Sequence, residues 1–180
     1  MVSEGFVLDF NGRPLHFFDT PGHARHLCCI WDPKSDGLFS GDTCGMAYPY
    51  LQQDKEKPFL VPATAPAAFE PNELINSINR LMKLNPKYFY LTHFGPVPAN
   101  QKSIAGLINL IEEHGRLAAV DNEVDIESTV NWIRSVIYES YLAHWGEGLN
   151  KDQFNDFLGP DMELNAQGIA ARNARLKKKQ

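Results

Sequence analysis

Leu38-Phe39-Ser40-Gly41-Asp42-Thr43 reads as a short apolar strand that breaks at a glycine and ends on a carboxylate. A strand end holds a side chain rigidly at the rim of a sheet, where a solute can reach it. Two other places share this design. Thr20-Pro21-Gly22 is a turn that carries His23, and Tyr88-Phe89-Tyr90-Leu91-Thr92 is a strand that runs into His93-Phe94-Gly95-Pro96. His23 precedes Asp42 by 19 residues, and His93 follows it by 51, so the three can meet only through the fold. Imidazole and carboxylate together suit Zn²⁺, and also iron or manganese.

Outward from these points, the first half of the chain reads as β. Residues 5–10 and 15–18 flank Asn11-Gly12, a strong hairpin signal. Residues 27–31 form a third strand and 38–40 a fourth. Residues 44–71, rich in proline and alanine, read as a long loop. The second half reads as helix. Apolar residues recur at helical spacing over 71–84, 103–117 and 127–142, a short helix covers 151–158, and the basic tail 172–180 is expected to fray. The expected organisation is one partial domain over 1–180. It has a strand-rich region carrying the motifs (1–96), a mainly helical region (97–171) and the tail.

The chain has 180 residues, 43% hydrophobic and 22% charged, which is an ordinary globular balance. A net charge of −5 gives no general attraction for nucleic acid or anionic membrane. No apolar run is long enough to span a bilayer, and residues 1–5 are unlike a signal peptide. Cys28, Cys29 and Cys44 do not form a disulfide framework, and adjacent Cys28 and Cys29 would point to opposite faces of a strand. These features fit a cytoplasmic protein.

The three motifs, in this order, resemble the last three metal-binding motifs of the metallo-β-lactamase superfamily. Residues 161–168, Asp161 through Gly168, also resemble the tail of one bacterial branch of that superfamily. The resemblance implies an α/β fold, the C-terminal half of an αββα sandwich. It implies zinc, one or two ions, with His23 on the first metal, Asp42 bridging both and His93 on the second. It implies hydrolysis of a lactone, ester or thioester by metal-bound hydroxide. The family's His-x-His-x-Asp-His motif, which supplies two further ligands to each metal, occurs nowhere in the chain. A lone half would bare the inner face of its sheet, where Phe18, Cys28, Ile30 and Phe39 are expected. The implied partners are therefore a complementary N-terminal half or a second copy, and a small-molecule substrate once the site is complete.

Other residues carry weaker expectations. His26 could support a ligand from behind or stand free in a loop. Tyr48 and Tyr50 could reach a substrate carbonyl or pack the loop after Asp42, and Cys44 reads as a buried small hydrophobe. His16, His114 and His144 read as structural or exposed. Two further functional readings stand beside hydrolysis: a non-catalytic binding or oligomerisation protein with a vestigial half-site, and a di-iron oxidoreductase-like member.

Overall fold

Asn11 and Gly12 both take positive φ, 52° and 76°, as a two-residue type I′ hairpin turn requires. Phe10 and Arg13 exchange their backbone hydrogen bonds across it. The turn joins β1 (Val7–Asp9) to β2 (Pro14–Asp19). The structure, a computed structural model, describes residues 4–64, 68–119, 124–158 and 161–178. β3 (Cys28–Asp32) and β4 (Gly37–Gly41) continue the antiparallel run. β5 (Tyr88–Leu91) then pairs parallel to β4, and β6 (Val97–Pro98) closes the far edge antiparallel. The six strands lie in chain order.

A parallel step needs a crossover, and the chain between β4 and β5 supplies it. It contains a short 3₁₀ turn at Pro49–Leu51 and the helix α1 (Pro71–Met82). Residues 44–64 are thus more ordered than a plain loop, and residues 65–67 of the expected loop lie outside the described residues. Met46 bridges Val61, and the Gln52 carboxamide binds the backbone of Tyr48 and Phe59. After β6 come α2 (Gln101–Leu117), α3 (Ile126–Trp145), α4 (Lys151–Leu158) and α5 (Asp161–Lys177). Asn100 caps α2 by accepting from the N–H groups of Lys102 and Ser103, and Asp125 caps α3 through Ser128.

Two cores result. Leu74, Ile78 and Leu81 of α1, with Ile104, Leu107 and Ile111 of α2, pack on Cys29, Leu38, Phe89 and Leu91 of the sheet. Ile133, Ile137 and Tyr141 of α3 meet Phe154, Met162, Ala166 and Ile169, and enclose Met46, Leu51 and Val61. No described helix is long and apolar enough to cross a membrane.

Strand alternation sends the other side chains to the opposite face. Phe17, Ile30, Phe39 and Tyr90 lie opposite one another in a row across four strands. They belong to neither core, Phe39 stacks on Tyr90 at 4.6 Å, and Phe39 is 44% exposed. Cys28 is exposed on the same face. Phe18 is a correction. It pairs with buried Cys29 and packs against the helix-side core, because it is one residue out of phase with Phe17.

The C-terminal stretch is a second correction. Instead of fraying from residue 172, α5 runs to Lys177, and residues 179–180 of the expected tail lie outside the described residues. Arg172 and Arg175 both bond the carboxylate of Glu70, and they also donate to the carbonyls of Ala118 and Phe69. Tertiary partners absorb these cations, which a reading by local composition assigns to solvent.

Beneath the hairpin, fully buried Asp32 receives the Arg13 guanidinium, the Ser35 hydroxyl and the Lys34 N–H. Arg13 holds this carboxyl well below the usual carboxylate range, aided by Ser35 and Lys34 and opposed by burial. A depressed folded pKa stabilises the protein above the unfolded value of about 4, and that stability is lost as pH falls towards the folded value. Asp32→Asn should therefore lose less stability than the unsubstituted chain between neutral pH and pH of about 3. Urea midpoints at the two pH values measure the difference.

Candidate functional site

Strand direction brings the three motif residues together. β2 and β4 both run antiparallel to β3, and β5 runs parallel to β4. The C-terminal ends of β2, β4 and β5 therefore share one rim, and His23, Asp42 and His93 lie just beyond those ends. Asp42 sits between the imidazoles. Its Oδ2 is 3.5 Å from His23 Nε2, and its Oδ1 is 3.7 Å from His93 Nε2. Each imidazole thus faces a different oxygen of the same carboxylate.

Two details define the donor set. His23 Nδ1 lies 2.8 Å from the carbonyl oxygen of Ala63. A carbonyl only accepts, so Nδ1 carries a proton, and in the neutral imidazole the bare nitrogen is then Nε2, which faces Asp42. Asp42 Oδ1 is buried and accepts no hydrogen bond. An unsatisfied buried polar atom costs about 1–3 kcal/mol, more when charged. Among the described residues, no three His, Cys, Asp or Glu groups converge closely enough to hold one ion between them. The arrangement is pairwise: one imidazole and one carboxylate oxygen on each side.

The turn carrying His23 is clamped by α1. Glu70 N–H donates to the Gly22 carbonyl at 2.8 Å, and Ser77 Oγ donates to the Pro21 carbonyl at 2.9 Å. Gly22 has φ 129°, and a Cβ there would run into the backbone of Leu74, so only glycine fits. Below the rim, the Cys29 thiol lies 3.2 Å from Thr20 Oγ1 and 3.4 Å from Thr43 Oγ1, linking the His23 turn to the Asp42 turn. Burial raises the Cys29 thiol to about 11, so it stays uncharged at neutral pH. Cys44 is buried with its thiol pushed up by burial, which makes it packing material, as its sequence context suggests. Phe94 takes a positive φ of 65° directly after His93.

A cavity of about 240 Å³ opens on the three residues. Met46, Ala63 and Thr64 form one wall, and Asp161, Leu164 and Asn165 of α5 form another. Sequence reasoning does not find these α5 residues as part of the site. The only signal was the resemblance of 161–168 to a family tail, which attaches no role to them. Tyr48 does not offer a free hydroxyl. It is buried, its phenol donates to the Asp161 carboxylate, and burial, with Asp161 second, pushes its pKa up. Its ring lies 5.2 Å from that of Phe94. Tyr50 stacks on Phe157 at 4.7 Å outside the cavity. His26 is exposed and does not line the cavity, and the partner behind His23 is the Ala63 carbonyl. His114 is fully buried between helices, and desolvation lowers its pKa to about 4.

Comparison with known proteins bears on the family and the fold. Residues 1–93 match the family model of the metallo-beta-lactamase superfamily, and the chain belongs to that superfamily. Among solved structures it is similar to a metallo-beta-lactamase family protein from Thermus thermophilus, with 20% identity and a TM-score of 0.50. That alignment covers 79% of this chain and 46% of the other. It is also similar to an archaeal metallo-beta-lactamase superfamily protein from Sulfolobus tokodaii, with 24% identity and a TM-score of 0.45, over 82% of this chain and 51% of that one. The chain thus spans about half the length of these solved relatives. A search of curated proteins finds no match.

Gly22→Ala should destabilise the protein by about 2 kcal/mol or more, because it forces a left-handed alanine into the α1 backbone. Urea unfolding of the variant measures the cost. A loss below ~0.5 kcal/mol, the range of neutral surface changes, would contradict the clamp.

Proposed function

We propose that this chain contributes half of a two-metal hydrolase site acting on an uncharged lactone, ester or thioester. The observation that carries the reading is Asp42, with one oxygen towards each imidazole and its Oδ1 buried without a hydrogen bond. The residues fit divalent ions. His23 Nε2 and Asp42 Oδ2 would hold the first, and Asp42 Oδ1 and His93 Nε2 the second. Zinc is the first choice for these donors, and iron or manganese share them. When bound, such ions acidify a water and polarise an acyl carbonyl.

The remaining chemistry belongs to the chain. The Ala63 carbonyl keeps the His23 proton on Nδ1, away from the ion. Asp161 lines the cavity, and no Lys or Arg does so among the described residues. This wall disfavours anionic substrates such as phosphodiesters and suits neutral acyl compounds. Two protein donors per ion fall short of the three usual in catalytic zinc sites. We infer that the missing donors come with a complementary half that seats on the bare face of the sheet.

Metal content per chain, measured on untagged protein before and after chelation and zinc reconstitution, tests the half-site. Zinc uptake should be weak in the chain alone and should fall further in Asp42→Ala. In the completed enzyme, Asp42→Ala should lower kcat/KM on a neutral ester by about 100-fold or more. Unchanged zinc uptake and unchanged activity in Asp42→Ala would sink the bridging role.

A second reading, a binding or oligomerisation protein, is favoured by the row Phe17, Ile30, Phe39 and Tyr90. An apolar face of this kind marks an interface. The chain alone should self-associate or bind a hydrophobic dye strongly, and a Phe17→Lys/Phe39→Lys double variant should lose both properties. A monomeric chain that ignores the dye would remove the interface from either reading.

A further inference from the structure

We propose that Asn165, on α5, is a positioning residue for His23, acting through the single peptide unit that joins Ala63 to Thr64. The proposal takes its importance from the reading of His23 as a metal ligand, but it concerns hydrogen bonds within this chain. In a trans peptide the C=O and the following N–H point to opposite sides of one rigid plane. Here the two sides have different holders. The Ala63 carbonyl accepts from His23 Nδ1 at 2.8 Å. The N–H of the same unit, on Thr64, donates to Asn165 Oδ1 at 2.9 Å. Asn165 and His23 thus grip opposite edges of one plane, and rotating that plane would break both bonds.

The rest of the Asn165 side chain tightens the grip. Its Nδ2 donates to the Pro62 carbonyl at 2.9 Å, so the carboxamide brackets Ala63 from both neighbours. The Thr64 hydroxyl lies 3.1 Å from Asn165 Oδ1 and donates to the Asn165 backbone carbonyl at 3.0 Å. Asn165 is 2% exposed and Thr64 is 3% exposed, so water does not compete readily for these groups. One turn further along α5, a Cβ at Gly168 would lie 2.6 Å from the Thr64 carbonyl oxygen. The glycine lets the helix approach the segment closely enough for Asn165 to reach it. Asn165 and Gly168, three residues apart, lie on one helix face.

The consequence falls on the tautomer of His23. With the Ala63 carbonyl fixed, the proton stays on Nδ1 and Nε2 stays bare towards Asp42. Without Asn165, the Thr64 N–H is left buried and unpaired. The peptide then turns to find another acceptor, the Ala63 carbonyl turns with it, and the imidazole proton redistributes over both nitrogens.

The test is long-range ¹H–¹⁵N NMR of histidine-labelled, metal-free full chain at alkaline pH, with the His23 signals assigned through His23→Gln. The unsubstituted chain should show His23 protonated at Nδ1. Asn165→Ala should raise the Nε2–H population about fivefold or more, which corresponds to ~1 kcal/mol. Gly168→Ala, which pushes the same segment from the same helix, should move it in the same direction and carries the test if Asn165→Ala does not fold. Asn173→Ala is the control. It removes another buried asparagine of α5, one that donates to the Ala119 carbonyl, and it should leave His23 unchanged. An unmoved tautomer in the folded Asn165 or Gly168 variants, or an equal response to Asn173→Ala, overturns the proposal. Zinc titration is read separately. A tautomer that responds while the completed enzyme takes up no zinc keeps the positioning role and removes the metal reading. Zinc uptake with an unresponsive tautomer does the reverse.

Discussion

Parallel pairing of β4 with β5, Leu38 opposite Phe89 and Gly41 opposite Leu91, decides where the chemistry can be. In an antiparallel pair the loops after consecutive strands leave from opposite rims. Because β5 runs with β4, Asp42 and His93 leave from the same rim, and the antiparallel steps through β3 return the end of β2 to it as well. The crossover that makes the pairing possible is the stretch from Asp42 to α1, and it also builds the cavity. Met46, Ala63 and Thr64 come from that stretch, and α1 clamps the His23 turn through Pro21 and Gly22. The topology thus produces the site and one of its walls together.

The helices complete the arrangement asymmetrically. α1 and α2 cover one face of the sheet, and α3 to α5 form a second core against the crossover. The opposite face keeps Phe17, Ile30, Phe39 and Tyr90 in a row without a described element over it. A face of this kind and a metal site with two donors per ion have the same physical explanation in the proposed reading. Both want the material that the solved relatives contain beyond the half this chain aligns with.

The site and the fold also share residues that serve neither alone. Cys29 belongs to the sheet core, yet its thiol touches the hydroxyls of Thr20 and Thr43 below the His23 and Asp42 turns. Asn165 is a buried residue of a helix whose packing surface is Met162, Ala166 and Ile169, yet its carboxamide organises the peptide that holds His23. Stability and positioning are coupled at such points, so separating them takes spectroscopic readouts of the imidazole rather than activity alone.

The sequence alone placed β1 to β5 to within about two residues, with the hairpin at Asn11-Gly12 and the helical periodicities of α1 to α4, because these depend on neighbours a few residues apart; it missed β6 and the helix α5. Its three motifs also marked His23, Asp42 and His93, since their residue types at strand ends have no packing explanation. Only the tertiary structure decided that these three face one another through separate oxygens of Asp42. Only it placed Phe18 on the helix side, kept Arg172 and Arg175 in an ordered helix on Glu70, and turned Tyr48 towards Asp161. Those outcomes rest on contacts between residues far apart in the chain, Tyr48 with Asp161 and Thr64 with Asn165 among them. Local composition and spacing hold no record of which distant partner a buried polar group will find.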